Sequence, residues 1–362
     1  MKILYIAMKY DYGKRNLGYS PQHCSFYDSL VRMGGGNPEG QAYGARHQIV
    51  YFPFDEILEK VGKREMNKQL LQTVREEKPD LCFFSLFGDE IKKEIIKKIT
   101  KENNSLTFNW FTDDHFRFYN FSRYYAPCFH WVSTTDSQTM EKYYKIGYRN
   151  VIKTQWACNH FSYKPFDLPK IYDITFVGQP HGNRREVIEK IRKAGINIKC
   201  WGKGWPDGRV SQNEMLRIFS QSKINLNLTK SSGNINFRTL ASIFLKRELD
   251  SSLKPISPKY WFGNFQSILA KKREQIKGRN FEIPGSGGFL LTSDADNLTD
   301  YYQDGKEIVI YKDIDDMINK IKYYLEHNQE RERIAKAGYE RTLREHTYEK
   351  RFNNIFKTIQ YE

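Results

Sequence analysis

The chain is predicted to be an α/β protein made of two Rossmann-like, doubly wound domains, each a parallel sheet covered by helices. Three observations predict this. Short apolar runs alternate with amphipathic segments along most of the sequence, the pattern of parallel strands joined by helical crossovers. The 362 residues exceed what one core usually supports, so two domains of roughly 150 to 200 residues each are expected. The opening strand-to-helix pattern also recurs near residue 174, where ITFV runs through a glycine-bearing loop into a helical stretch.

Lys2–Met8 (KILYIAM) reads as the first buried strand, followed by a polar loop and a helix over Ser25–Met33. His47–Phe52 is a second strand, Ile57–Glu77 an amphipathic helix, and Leu81–Phe84 a third strand introduced by the turn Lys78–Pro79–Asp80. A helix at Asp89–Lys101, strands at Leu106–Phe111 and near His130–Ser133, a helix at Ser137–Lys145 and the strand Val151–Gln155 complete a first domain over 1–168. Pro165 and Pro169 mark the linker. A second domain, 169–347, restarts with Ile174–Val177 and the helix Arg185–Ala194. It continues with strands Ile196–Trp201, Ile224–Leu228 and Gly288–Thr292, the helix Met215–Gln221 and a short strand Glu307–Ile310. Residues 229–277 show little periodicity and read as an insertion, covering the site or lying on the surface. Helices Ile314–His327 and Gln329–Glu345 follow, then a last segment, 348–362.

Aromatic residues make up 15% of the chain, enough large side chains to build packed cores and to exclude global disorder. No apolar run approaches the roughly 18 residues of a membrane span, and the N-terminal run is too short for a signal peptide. A soluble, cytoplasmic protein is expected. Five scattered cysteines suggest neither a disulfide framework nor a zinc site. A formal charge of +15 favours anionic partners: nucleotide phosphates, an anionic polymer, nucleic acid or a membrane surface touched peripherally through basic patches. Helices such as Ile91–Lys101 account for part of that charge as an ordinary solvated face. Oligomeric state is not legible.

The segment Gly278–Leu291, GRNFEIPGSGGFLL, places a carboxylate ahead of a glycine-rich turn in a basic setting. If Glu282 opens a helix or tight turn, it can accept hydrogen bonds from ribose hydroxyls, while N–H groups of Gly285, Ser286, Gly287 and Gly288 face a diphosphate. The ordinary alternative is a loop before the strand that follows.

From Tyr172 to about Phe352 the chain resembles group-1-type glycosyltransferases of the CgeB kind. The blocks that carry the resemblance are YDITFVGQPHGNRREVIEKI, CWGKGW, SKINLNL, KGRNFEIPGSGGFLLT, YYQDGKEIVIY and HTYEKRF. It implies the GT-B architecture, two Rossmann-like domains facing a central cleft, with the final helix over 348–362 returning to the first domain. It also implies a nucleotide-diphosphate sugar, a UDP-sugar above all, held by the second domain and a saccharide, glycoconjugate or surface-polymer acceptor at the first. Glu282 matches the family's ribose-contacting carboxylate. Arg184 and Arg279 are candidates for the diphosphate, because guanidinium forks match phosphate oxygens, with Arg185 a rival to Arg184. Gly178 lets the first loop of the second domain approach the donor, and Gly202 and Lys203, between Trp201 and Trp205, belong to the adjacent wall. Glu274, eight positions before Glu282, reproduces a spacing of two glutamates known in related retaining enzymes. It lies, however, in KKREQIKGR, which reads as a charged helix where a carboxylate is normally solvated.

In the first domain, NWFTDDH ends a strand with Asp113, Asp114 and His115, where doubly wound folds place ligands. Asp114 or His115 is the candidate general base, and Asp113 a candidate for positioning donor hydroxyls. A helix cap or turn is the plainer role for such aspartates. The loop Gly13–Ser20 and His23 are secondary candidates on the acceptor side. The sequence contains no metal-binding pattern, so neither a metal nor another cofactor is expected beyond the donor as co-substrate. A nucleic-acid-modifying enzyme of the same fold, or a non-catalytic nucleotide- or glycan-binding protein on the same scaffold, remains the alternative.

Overall fold

A computed structural model of the chain describes residues 1–36, 47–102, 104–229, 237–249 and 252–360. The chain divides into two compact units. One comprises Met1–Gln155, Ile235–Ala270 and Phe352–Glu362; the other comprises Trp156–Asn234 and Lys271–Arg351.

The first unit holds a six-stranded parallel sheet of β1 (Lys2–Ala7), β2 (Gln48–Pro53), β3 (Leu81–Ser85), β4 (Leu106–Trp110), β5 (Trp131–Thr134) and β6 (Val151–Lys153), in the order β2-β1-β3-β4-β5-β6. Strand order reverses between β1 and β3, the place where doubly wound sheets open a crevice at their carboxyl ends. One face packs Leu4, Ile6, Cys82 and Phe84 against helices Phe54–Glu77 and Lys93–Glu102. The other is an aromatic layer in which Phe83 meets Tyr5 at 5.5 Å and Phe108 at 4.9 Å. Phe352, on the C-terminal helix Tyr348–Gln360, closes this layer, edge-on to Phe83 at 5.6 Å. The predicted helix Ser25–Met33 begins instead as a π-helical stretch, Gln22–Tyr27, and continues as Asp28–Met33.

In the second unit β7 (Tyr172–Val177), β8 (Ile198–Trp201) and β9 (Ser222–Asn227) come first. Of the supposed insertion 229–277, Ile235–Ala270 is counted with the first unit, where β10 (Leu245–Arg247) and β11 (Leu253–Pro255) form an antiparallel hairpin; residues 230–236 and 250–251 lie outside the described residues. The second sheet is completed by β12 (Leu290–Ser293) and β13 (Val309–Tyr311), in the parallel order β13-β12-β9-β7-β8. It is buried on both faces: Leu291, Val309 and Tyr311 pack into one cluster and Leu290 and Ile310 into another, as the two-residue period of a strand requires. Among the described residues no helix is long and apolar enough to cross a membrane.

Candidate functional site

Strand order in the second sheet reverses between β7 and β9, so its ligand crevice is expected outside the carboxyl ends of those strands. Arg184, the first residue of the helix Arg184–Lys193, sits there. Its Nη1 donates to the Gln179 carbonyl at 2.9 Å, after β7, and its Nη2 to the Leu228 carbonyl at 2.5 Å, after β9. The guanidinium therefore ties the two strand ends together, and its buried Nε–H has no acceptor among the described residues. Gly178 and Gly202 are backbone neighbours. Gly202 has φ +139°, and a side chain on it would collide with the Gly178 carbonyl, which already accepts the Trp205 indole N–H at 2.7 Å. The small size of Gly202 serves the contact between these two loops, whereas a side chain on Gly178 would strike the Phe176 ring. Lys203 is exposed beside them.

Glu274 departs from expectation. Residues 274–277 are not helical but form an irregular segment between the helices Trp261–Ala270 and Arg279–Gly285, with Gln275 and Ile276 buried. The Glu274 carboxylate accepts from Thr229 Oγ1 at 2.9 Å, and Thr229 in turn bonds Ser293 Oγ, so it is held at the ends of β9 and β12. It lines an open cleft of about 900 Å³ that also takes in Asn183, Leu228, Ser293 and Tyr311. Among the described residues the lining holds five carboxylates (Glu274, Asp294, Asp304, Asp313 and Asp315) and two cationic side chains, Lys190 and Lys312. Such a wall suits a hydroxyl-rich ligand, whose O–H groups donate to carboxylates, better than a phosphate.

Helix Arg279–Gly285 is fixed by Asn280, which is fully buried. Its Oδ1 accepts from Lys277 N at 2.9 Å and from Asn227 Nδ2 at 3.1 Å, and its Nδ2 donates to Thr292 Oγ1 at 3.2 Å. Two residues on, Glu282 is 8% exposed and ion-paired with Arg279, which the Tyr163 hydroxyl and the ring of Phe219 also engage. The two residues assigned separately to ribose and diphosphate thus meet each other.

The glycine-rich turn engages its own N–H groups in a helix cap. It follows the helix, where carbonyls rather than N–H groups are left over. Gly287 N donates to the Pro284 carbonyl at 2.8 Å and Gly288 N to the Ile283 carbonyl at 3.0 Å, while Gly287 takes φ +71°: a Schellman cap. Ser286 is buried, and its N–H and hydroxyl both bond the Glu282 carbonyl. Gly285 is small because Cys158 Sγ occupies the place of a side chain, and Gly288 because Asn225 Nδ2 does.

In the first unit Asp114 is fully buried, bonded by Ser122 Oγ and by the Tyr143 hydroxyl at 2.8 Å. Burial pushes its carboxyl up to about 6 against those stabilising hydrogen bonds. It anchors the turn after β4 and does not face solvent. His115 is also buried; Asp113, at φ +50°, is the one of the three that reaches the surface. The other notable assembly lies beyond β1. His23, on the π-helical stretch, stacks on Tyr19 at 4.5 Å and Tyr27 at 5.2 Å, and Tyr27 on Tyr51 at 4.4 Å. Burial, followed by the Lys9 charge, pushes the His23 imidazole down to about 4, so the ring is neutral near pH 7. The loop Gly13–Ser20 is clamped here: Arg15 pairs with Glu56 at 2.9 Å, as does Lys9 at 3.0 Å. Among the described residues no cluster of three or more His, Cys, Asp or Glu is placed to hold a metal ion.

Residues 184–243 and 257–357 match a family model described as glycosyl transferase-like. The chain is 22% identical over 275 residues to the spore protein CgeB of Bacillus subtilis (strain 168), covering 75% of this chain and 80% of the relative. Among solved structures it is similar to HepE of Anabaena in complex with UDP-glucose, with a TM-score of 0.62 at 10% identity over the full length of both chains. It is also similar to sucrose-phosphate synthase of Thermosynechococcus elongatus, with a TM-score of 0.60 at 10% identity, covering 99% of this chain and 98% of the other. The chain thus carries a glycosyl transferase-like domain, is similar to the spore protein CgeB, and has the GT-B fold of two parallel-sheet units.

Proposed function

We propose that the protein transfers a sugar from a nucleotide-diphosphate donor, a UDP-sugar, to a hydroxyl of a saccharide or glycoconjugate. The observation that carries this reading is the placement of Glu274 and Glu282 on one continuous segment, clamped by Asn280 to the ends of β9 and β12. Glu282 accepts from the ribose hydroxyls, Glu274 from hydroxyls of the donor sugar, and Arg184 and Arg279, each with an Nε–H that no group among the described residues accepts, meet the diphosphate. In the first unit the tyrosines stacked about the neutral His23 offer flat faces to an acceptor sugar ring. HepE, solved with UDP-glucose, supports UDP as the nucleotide.

Thermal shift with UDP, GDP, dTDP, ADP and CMP tests the donor. A ligand at a hundred times its dissociation constant adds about 2.7 kcal/mol of stability. Selective stabilisation by UDP, lost in Glu282→Ala and unchanged by EDTA, is expected. Equal stabilisation of wild type and Glu282→Ala would remove Glu282 from the site, and no stabilisation by any nucleotide would sink the donor reading.

A further inference from the structure

Helix Arg279–Gly285 brings its own counter-ion. Arg279 and Glu282 stand three residues apart, which sets both side chains on one face of the first turn, and the Arg279 guanidinium donates to the Glu282 carboxylate. Pairs at this spacing are usually exposed and weak. Here the Glu282 side chain is 10% exposed and that of Arg279 30%. The guanidinium is seated by the buried Tyr163 hydroxyl and by the Phe219 ring at 5.6 Å, and its buried Nε–H has no acceptor among the described residues. On the other side of the pair, a Cβ at position 278 would lie 3.1 Å from Glu282 Oε1, so Gly278 keeps a side chain off that oxygen.

A carboxylate this far from water needs a partner in every state of the protein. In the free protein Arg279 is that partner, and it occupies the carboxylate that ribose hydroxyls would use. A nucleoside brings O–H groups but no charge. To bind, it must replace a charge-assisted bond between two ions with weaker bonds to a neutral group. A diphosphate alters the contest. It carries more negative charge than one carboxylate, and its oxygens match a guanidinium fork, so it is the better partner for Arg279. Once the cation turns to phosphate, the carboxylate is left in need of hydrogen-bond donors, and the ribose hydroxyls supply them.

We infer that Arg279 makes ribose recognition conditional on the diphosphate: the phosphate draws the guanidinium off Glu282, and the freed carboxylate takes the ribose hydroxyls. This rests on the donor reading above and adds a selection to it. The site rejects a nucleoside and accepts the corresponding nucleoside diphosphate, although both offer the same ribose. Arg279 is thereby a positioning residue for Glu282 as well as a contact for phosphate.

Calorimetric titration of wild type and Arg279→Met with UDP and with uridine tests it, with thermal melting to check that each protein is folded. Wild type should bind UDP and bind uridine far more weakly. Arg279→Met removes the charge and keeps most of the bulk. It should bind uridine about fivefold or more tighter than wild type and UDP no tighter, the size of an ordinary coupling between two sites. A merely structural role for Arg279 would weaken both ligands together. Should Arg279→Met fail to fold, Arg279→Lys replaces the fork with a point charge and should tighten uridine in the same direction by a smaller factor. Uridine binding that is unchanged or weaker in the folded variant overturns the inference and leaves the donor reading standing, provided wild type binds UDP. Failure of wild type to bind UDP overturns both.

Discussion

Gly285→Ala separates the two readings of the glycine-rich turn. The new methyl would overlap Cys158 Sγ and lie 3.0 Å from Cys158 Cβ and 3.4 Å from Thr342 Cγ2 on the helix Asn328–Glu345. Two effects oppose each other. Alanine is the better helix former by up to about 1 kcal/mol, whereas overpacking a tight core costs about 1–3 kcal/mol. The clash is with a fully buried side chain that cannot swing into solvent, so packing wins, and a net loss of about 1–2 kcal/mol is expected. Cys158→Ala alone should cost about 1 kcal/mol for the lost thiol. It also removes the atom the methyl strikes, so the double variant should be no less stable than Cys158→Ala by itself, a coupling of about 1–2 kcal/mol. Urea unfolding of the four proteins measures this, with UDP affinity determined on each while folded. Additive losses would refute the packing argument. A drop in UDP affinity that Cys158→Ala does not restore would return the turn to phosphate binding.

Two further outcomes follow from buried polar groups. Asn280→Ala removes the buried oxygen that accepts from both Lys277 N–H and the Asn227 amide, which keeps only Thr292 Oγ1 of its two acceptors, and should destabilise by about 2–4 kcal/mol in the same urea assay; a loss under about 1 kcal/mol would mean the network does not hold the segment. His346, whose Nε2 bonds the Tyr301 carbonyl at 2.7 Å and whose Nδ1 faces Arg351 Nη2 at 3.2 Å, is pushed down to about 4, first by burial and then by the Arg351 charge. Because the unfolded chain binds this proton near pH 6.5, stability should fall as pH drops through that value, by about 3 kcal/mol at pH 4, and His346→Gln should lose most of this dependence; identical pH profiles would remove His346 as the cause.

The strands were legible because buried parallel strands are short runs of Ile, Leu, Val and Phe bounded by polar turns, and β1, β3, β4 and β7 follow those runs within a residue or two. The chemistry around them was less so, for reasons that differ from residue to residue. GSGG carries the same local signal whether it caps a helix or approaches a phosphate; what decides is Cys158 and Asn225 standing where the side chains would be, and both are distant in sequence. Asp114 looked like a base because it ends a strand beside another carboxylate. Its burial comes from Ser122 and Tyr143, partners supplied by later helices. KKREQIKGR has the composition of a solvated helix, and only the burial of Gln275 and Ile276 shows why it is not one.

The position of Glu274 follows from the sheet itself. Thr292 and Asn227 are register partners on β12 and β9, and Asn280 bonds both. Ser293 and Thr229, just beyond that pair, hold the other end of the segment through Glu274. Two adjacent strand ends thus fix both ends of the stretch from Glu274 to Asn280, and Glu282 follows within the first turn of a helix whose start that clamp sets. A slip of one residue between β9 and β12 would turn Asn227 or Thr292 to the opposite face and release the clamp, so the separation of the two glutamates is as rigid as the parallel pairing beneath it. An eight-residue spacing that counting alone could not distinguish from chance acquires its physical cause in that register.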